Sequence, residues 1–311
     1  MNNSANTSPL LKVEGLSQYF KLSGGKILKA VDNVSFEMYA GETYGLVGES
    51  GSGKSTIGRS IIRLYDATAG KITFDNRDIS GKLSRADRSF LRTNMQMIFQ
   101  DPMSSLNPRK KVGEIIGEGL DIHHLYTSRA ERTNKINRIL TKVGLSPEHI
   151  DRYPHQFSGG QRQRVGIARA LIMNPKLVIA DECISALDVS IQAQVVNLMK
   201  SIQKETGAAY LFIAHDLSMV KYISDRIGVL HHGHLLETGT TEEIFSHPIH
   251  PYTKSLLSAI PRANPVVESH RTALTYSQQD SGIDYTLGSM HIINTNHSVL
   301  ATDTEFSAWS K

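Results

Sequence analysis

From Leu10 to Val47 apolar and polar residues alternate in short pieces, LKVEGL, KAVDNVSFEM and ETYGLVG, interrupted at Gly24-Gly25 and at Gly41. Alternation with a period of two, punctuated by glycine, predicts β-strands joined by turns. After Val47 comes a glycine-rich run and then STIGRSIIRLYD, in which Ile57, Ile61, Ile62 and Leu64 recur at helical spacing. The order is strand, glycine loop, helix. Residues 81 to about 165 are richer in Arg, Glu and helix formers; EIIGEGLDIHHLY and RAERTNKINRILTKVGL predict amphipathic helices and hence an inserted helical subdomain. From 158 to 245 helix and strand alternate again, and the apolar runs LVIA and YLFIA predict buried parallel strands. From Ser246 onward HPIHPYTKSLLSAIP begins a separate tail, and residues 262 to 311 are polar and weakly periodic, so their role stays open. This gives an α/β protein: a leader over 1–9, a main domain over 10–245 with the helical insert inside it, and an extension over 246–311.

Composition narrows the classes without choosing among them. The chain has 311 residues, 40% hydrophobic and 21% charged, as ordinary globular proteins do. A net charge of +4 spread over that size gives no basic footprint for nucleic acid. The leader MNNSANTSP lacks a basic patch followed by an apolar run, so it reads as a frayed end and not as a signal peptide. No stretch approaches the roughly 20 apolar residues that span a bilayer, so any membrane role is supplied by other chains. The single cysteine, Cys183, excludes an internal disulfide and a cysteine-ligated cluster built by this chain alone.

The chemistry concentrates in three stretches. Gly48, Glu49, Ser50, Gly51, Ser52, Gly53, Lys54, Ser55 and Thr56 fit the pattern Gly, four residues, Gly-Lys-Ser/Thr, between a predicted strand and a predicted helix. Glycines let backbone N–H groups cradle phosphate oxygens, the helix N-terminus adds positive potential, Lys54 reaches the terminal phosphates and Ser55 ligates Mg2+. The run KLVIADE ends a predicted buried strand on Asp181 and Glu182. Two buried acids are costly unless a cation offsets them, which assigns Asp181 to the Mg2+ shell and Glu182 to activating the attacking water. In FSGGQRQRVGIARAL, Ser158, Gly159, Gly160 and Gln161 stand at a predicted helix N-terminus, where a hydroxyl and glycine N–H groups suit phosphate oxygens. Alone, SGGQ is equally a turn.

With the other two stretches, Ser158 to Gln161 resembles the signature of the ATP-binding cassette (ABC) family. That resemblance implies the ABC type of P-loop NTPase core, with an N-terminal antiparallel β subdomain, a helical subdomain and, here, a C-terminal extension. It further implies that Gln100 in MIFQDP senses the γ-phosphate and Mg2+, that Asp188 in SALD touches the opposite subunit, and that His215 in IAHD contacts the γ-phosphate. Phe20, in preference to Tyr19, takes the place of the aromatic that stacks on adenine. The family pairs two subunits head to tail, so the signature acts in trans on the neighbour's ATP.

The stretches AVDNVSF, IFQDPMSSLNPR, SALDVSIQAQ and HPYTKSLLSAIP look like the oligopeptide and dipeptide permease branch, and SGIDY and HSVLATDTEF resemble tails of its Gram-positive members. The branch implies an ATPase energising oligopeptide import at the cytoplasmic face of the membrane. Its implied partners are a second, non-identical ABC ATPase, two transmembrane permease subunits and, indirectly, an extracytoplasmic peptide-binding lipoprotein, with no nucleic acid. Dipeptide, nickel or another substrate of the branch, or a soluble non-transport ABC protein, are the alternatives. No cysteine follows Cys183, so the iron-sulfur cluster of many relatives is not carried over, and Cys183 itself stands where the family usually has Pro. The triplet His231, His232 and His234 around Gly233 reads as a hairpin rather than a metal site, and His123-His124, His247 and His250 as surface or packing residues.

Overall fold

A computed structural model describes residues 8–101, 105–185, 187–260 and 274–309. Residues 1–7 of the expected leader, residues 102–104 of the IFQDPMSSLNPR stretch, Ala186 of SALD and residues 261–273 lie outside them. The N-terminal alternation folds as expected: β1 (Leu11–Lys21) and β2 (Ile27–Met38) pair antiparallel, and β4 (Ala69–Phe74) and β5 (Arg77–Asp78) complete a sheet of order β2-β1-β4-β5. The third predicted piece, β3 (Thr43–Val47), instead enters a second, eight-stranded sheet.

That larger sheet has the order β11-β12-β10-β9-β3-β8-β7-β6, with β6 (Met95–Ile98), β7 (Leu177–Asp181), β8 (Ala209–Ile213), β3 and β9 (Arg226–His231) all parallel. The apolar runs are continuous because both sheet faces are covered. Val178 and Ala180 pack into a core shared with the helices Val112–Ile122 and Gly159–Leu171, whereas Leu177 and Ile179, pointing the other way, join the core beneath the antiparallel sheet. Cys183 is buried in the first of these cores, and loss of solvation pushes its thiol up to about 12, so it packs as a small apolar side chain.

Three expectations need correction. The helix after the glycine loop, Lys54–Ile61, stops before Leu64: Ile62 caps it, Arg63 takes a left-handed φ of 64°, and Leu64 is exposed. The region from 81 to 165 is not wholly a helical insert, because β6 lies within it and forms the parallel edge of the main sheet against β7. Its four residues, MQMI, are too short a run to separate strand from helix by periodicity. Finally, the segment after Ser246 is no separate tail. β11 (Ser289–Ile292) and β12 (Ser298–Ala301) extend the main sheet through β10 (His234–Thr240), and a buried hydrogen bond, His297 Nε2 to Glu237 Oε1 at 2.8 Å, fastens them. Buried Val299 and Ala301 alternate there with half-buried Ser298 and Leu300, a pattern four residues long that is legible only once β10 offers a partner edge.

Candidate active site

The loop after β3 is shaped by two contacts that only glycine permits. Gly48 has a φ of 150°, and a Cβ there would meet the Leu230 carbonyl oxygen at 2.0 Å. Gly53 has a φ of 105°, and its Cβ would meet the Ala30 carbonyl oxygen at 2.3 Å. The loop is thus pressed between β9 and β2, and its backbone must curl away from both. The Gly233 N–H donates to the Ser52 carbonyl at 2.9 Å, tying the loop to the β9–β10 turn. That turn is the hairpin expected at Gly233, with His232 and Gly233 both at positive φ.

Lys54 opens the helix that follows and folds back over the loop. Its buried Nζ donates to the Gly48 carbonyl at 2.8 Å, the Glu49 carbonyl at 2.7 Å and Ser52 Oγ at 3.3 Å. Burial lowers its pKa, an effect that Glu182 and Asp181 oppose. Ser55, one residue on, donates from Oγ to Asp181 Oδ1 at 2.6 Å. Asp181 ends β7 fully buried, and desolvation raises its pKa against the pull of Ser55 and Arg59. Its Oδ2 has no hydrogen-bond partner, with Arg59 Nη2 3.6 Å away. A buried carboxylate oxygen in that state, beside a hydroxyl, is a donor set for a hard cation of the magnesium kind.

Glu182 follows at a left-handed φ of 44°, a conformation a non-glycine residue holds only where its surroundings enforce it. Its N–H donates to the Ile213 carbonyl on β8 at 2.9 Å, which supplies the enforcement. The result is a side chain only 15% exposed, turned toward two others: Gln100 Nε2 donates to Glu182 Oε2 at 2.8 Å, and His215 Nδ1 lies 3.7 Å from the same oxygen. β6, β7 and β8 are adjacent and parallel, so the residues following their C-terminal ends meet at one edge of the sheet, where ligands bind in open α/β folds.

One cleft of about 480 Å³ gathers most of the expected residues: Phe20, Ser50, Gly51, Gly53, Lys54, Ser55, Thr56, Gln100 and Glu182 all line it. Gly48, Glu49 and Ser52 form the loop behind, and Asp181 stands behind Ser55. Phe20 meets Tyr65 edge to face at 5.3 Å, while the neighbouring Tyr19 turns its hydroxyl to Asp32. His215, 56% exposed, lines an adjoining recess with Glu182 and Gln192. The cleft also includes Leu28, Lys29, Ala30, His232 and Gly233, none of which the sequence pattern assigned to the site. They come from the two hairpins flanking the loop, and only the packing of those hairpins brings them in.

Ser158, Gly159, Gly160 and Gln161 do not line this cleft. Ser158 caps the helix Gly159–Leu171: its Oγ accepts the Gln161 N–H at 3.3 Å, and Gln161 Oε1 accepts the Ser158 N–H at 3.1 Å. Ser158 and Gly159 are exposed to solvent. Asp188, also exposed, is the N-cap of the helix Val189–Thr206 and makes no side-chain cap bond. Of the histidines, His231 is buried and bonded through Nδ1 to the Tyr285 hydroxyl at 2.7 Å, and His250 is buried as the N-cap of the helix Pro251–Ser258.

Comparison with known proteins matches residues 31–185 to the ABC transporter family and residues 236–281 to the oligopeptide/dipeptide transporter C-terminal region. The chain is 55% identical to the oligopeptide transport ATP-binding protein OppF of Streptococcus mutans, over 98% of this chain and 99% of that protein. It is 52% identical to the dipeptide transport ATP-binding protein DppF of Lactococcus lactis, over 97% of each. Among solved structures, the dimeric post-hydrolysis state of the ATP-binding cassette MJ0796 bound to ADP and Pi superposes with a TM-score of 0.68 at 29% identity, covering 74% of this chain and 98% of that one. A cleft built on Lys54 and Glu182, the cassette fold around it and near full-length identity above one half lead to one conclusion: the chain is an ATPase of the ABC transporter family, of the group that carries the oligopeptide/dipeptide transporter C-terminal region.

Proposed function

We propose that this chain is the subunit that binds and hydrolyses ATP to energise import of oligopeptides through an ABC transporter, peripheral to the membrane on its cytoplasmic face. The observation that carries the reading is the division of the site. Lys54, Ser55, Gln100 and Glu182 converge on one cleft, while Ser158 and Gly159 lie exposed outside it, Ser158 engaged in its own capping box and Gly159 with open space around it. Such halves suit a head-to-tail pair, in which Ser158 to Gln161 of one subunit close on the triphosphate held by its neighbour and Asp188 lies along the seam.

In that reading Phe20 stacks on the adenine, and the N–H groups from Ser50 to Thr56 hold the phosphates with Lys54 at their terminal oxygens. Mg2+ would be held by Ser55 Oγ, with Asp181 acting through water and Gln100 beside it, and would neutralise charge on the phosphates. Glu182 accepts a proton from the attacking water, and Gln100 and His215, both near its Oε2, align it and the γ-phosphate. Among the described residues no helix is long and apolar enough to cross a membrane, so transport requires permease subunits. The relatives' names support peptide as the cargo, and the DppF match makes dipeptides the second reading. The partners are a second, non-identical ABC ATPase, two permease subunits and a peptide-binding lipoprotein acting through them.

The test is co-purification with the permease subunits followed by ATPase assay in proteoliposomes. Stimulation by oligopeptide presented on the binding protein supports the reading. Stimulation by dipeptide alone selects the second, and a chain that hydrolyses ATP without ever associating with permease subunits overturns both.

A further inference from the structure

One hydroxyl from the C-terminal region reaches the phosphate loop from behind. Tyr252, in the first turn of the helix Pro251–Ser258, is 1% exposed, and its oxygen accepts the backbone N–H of Glu49 at 3.1 Å. That N–H and the Gly48 carbonyl belong to the same peptide group, and the Gly48 carbonyl is one of the three oxygens that Lys54 Nζ holds, at 2.8 Å. In a trans peptide the N–H and C=O point in opposite directions. Tyr252 and Lys54 therefore grip the two ends of one peptide plane. The plane needs an outside restraint, because Gly48 lies on one side of it and a glycine does little to fix the rotation of the peptide that follows.

Tyr252 is itself braced by side chains of the extension and of β9 and β10. Its ring lies 4.1 Å from that of His231 and 5.4 Å from that of Tyr276, and the hydroxyl of Tyr285 bonds both His231 Nδ1, at 2.7 Å, and the Tyr276 hydroxyl, at 3.0 Å. Its N–H donates to His250 Nδ1 at 3.0 Å, and the N–H of His250 donates to Glu237 Oε2 at 3.0 Å. Side chains from three separate stretches thus hold one ring in place, and its hydroxyl ends on the loop.

We propose that Tyr252 is a positioning residue for ATP: its hydroxyl sets the orientation of the Gly48–Glu49 peptide, and through the Gly48 carbonyl it sets where the Lys54 ammonium stands when phosphate arrives. The inference rests on the ATP reading of the cleft and adds to it a role for the extension in nucleotide affinity.

Tyr252→Phe keeps the ring and removes only the acceptor. Calorimetric titration of the full chain with Mg-ATP is expected to show a Kd raised about fivefold to tenfold, the scale of one hydrogen bond lost at a partly buried amide. In the assembled transporter the same variant should raise KM for ATP and leave kcat within about twofold, since the lost contact acts on placement. Tyr285→Phe removes a hydroxyl that braces the same aromatic cluster without touching the loop, and should lower the melting temperature while raising Kd less than Tyr252→Phe does. In a Lys54→Ala background, Tyr252→Phe should add little, because the path through the ammonium is already cut. Wild-type affinity in Tyr252→Phe, an equal loss in Tyr285→Phe, or full additivity with Lys54→Ala would each overturn the proposal while leaving the ATP reading intact. Failure of the wild-type chain to bind ATP would overturn both.

Discussion

Two glycine-containing turns open helices in this protein, and they are built in opposite ways. The turn from Gly48 to Gly53 is walled in: carbonyls of Leu230 and Ala30 forbid side chains at its ends, Gly233 and Tyr252 hold its backbone, and Lys54 fills its hollow. The turn at Ser158 is held by its own capping box and by Arg162, which bonds the Pro154 carbonyl just before it. A Cβ at Gly159 would meet nothing within 4 Å, and one at Gly160 would meet only Ile191. A glycine at the start of a helix, with open space around it, carries a conformational cost that its own chain does not require. Where the fold explains Gly48, Gly53 and, through Ile191, Gly160, but not Gly159, the unexplained glycine points to a requirement outside the chain, and the proposed partner's ATP is such a requirement.

The largest effect should come from the walled-in site. Glu182→Gln is expected to cut turnover at its own composite site by at least about a hundredfold while ATP still binds, because it removes the proton acceptor and retains the shape. Single-turnover hydrolysis, resolved for each of the two sites of the pair, checks it; undiminished turnover at that site would sink the assignment of Glu182. Next, Lys54→Ala should weaken ATP binding about tenfold to a hundredfold, the worth of charge-assisted bonds to phosphate, and titration of the isolated chain measures it.

Gly159→Ala sharpens the contrast most directly. In the isolated chain its stability and ATP affinity should stay within about 1 kcal/mol of wild type, since nothing there opposes a methyl group. In the assembled pair ATPase activity should fall about tenfold. An equal loss of ATP affinity in the isolated chain would show that the second turn serves its own cleft, and the distinction between the two turns would fail.

The smallest effect is one of pH, in the cluster that holds the first turn. Burial lowers His231 from 6.5 to about 4 and His250 from 6.5 to about 3. Below pH 6.5 the unfolded chain takes up protons that the fold refuses, so the stability from these neutral rings is complete above 6.5 and is lost as pH falls toward 4 and then 3. Melting temperature should therefore drop between pH 7 and pH 5. His250→Asn should make the drop shallower, because asparagine can accept the Tyr252 N–H as an N-cap without titrating. An unchanged slope in that variant would remove His250 from the account.

Much of this was legible in the sequence because the chemistry is local there. A phosphate loop would need its glycines and lysine in one short run between a strand and a helix, so Gly48 to Thr56 stands out as a candidate without a fold, whereas Ser158 to Gln161 stands out only beside the other two stretches. Parallel strands such as LVIA and YLFIA, covered on both faces, announce themselves as well. Tertiary structure decided what depends on distant segments meeting. It placed β6 in the sheet, added β11 and β12 to the edge of β10, brought His232 and Lys29 to the cleft and set Tyr252 behind Glu49. Short strands carry too few residues to show a period, and a single tyrosine hydroxyl carries no pattern at all. Their meaning comes from the partner that folding puts opposite them.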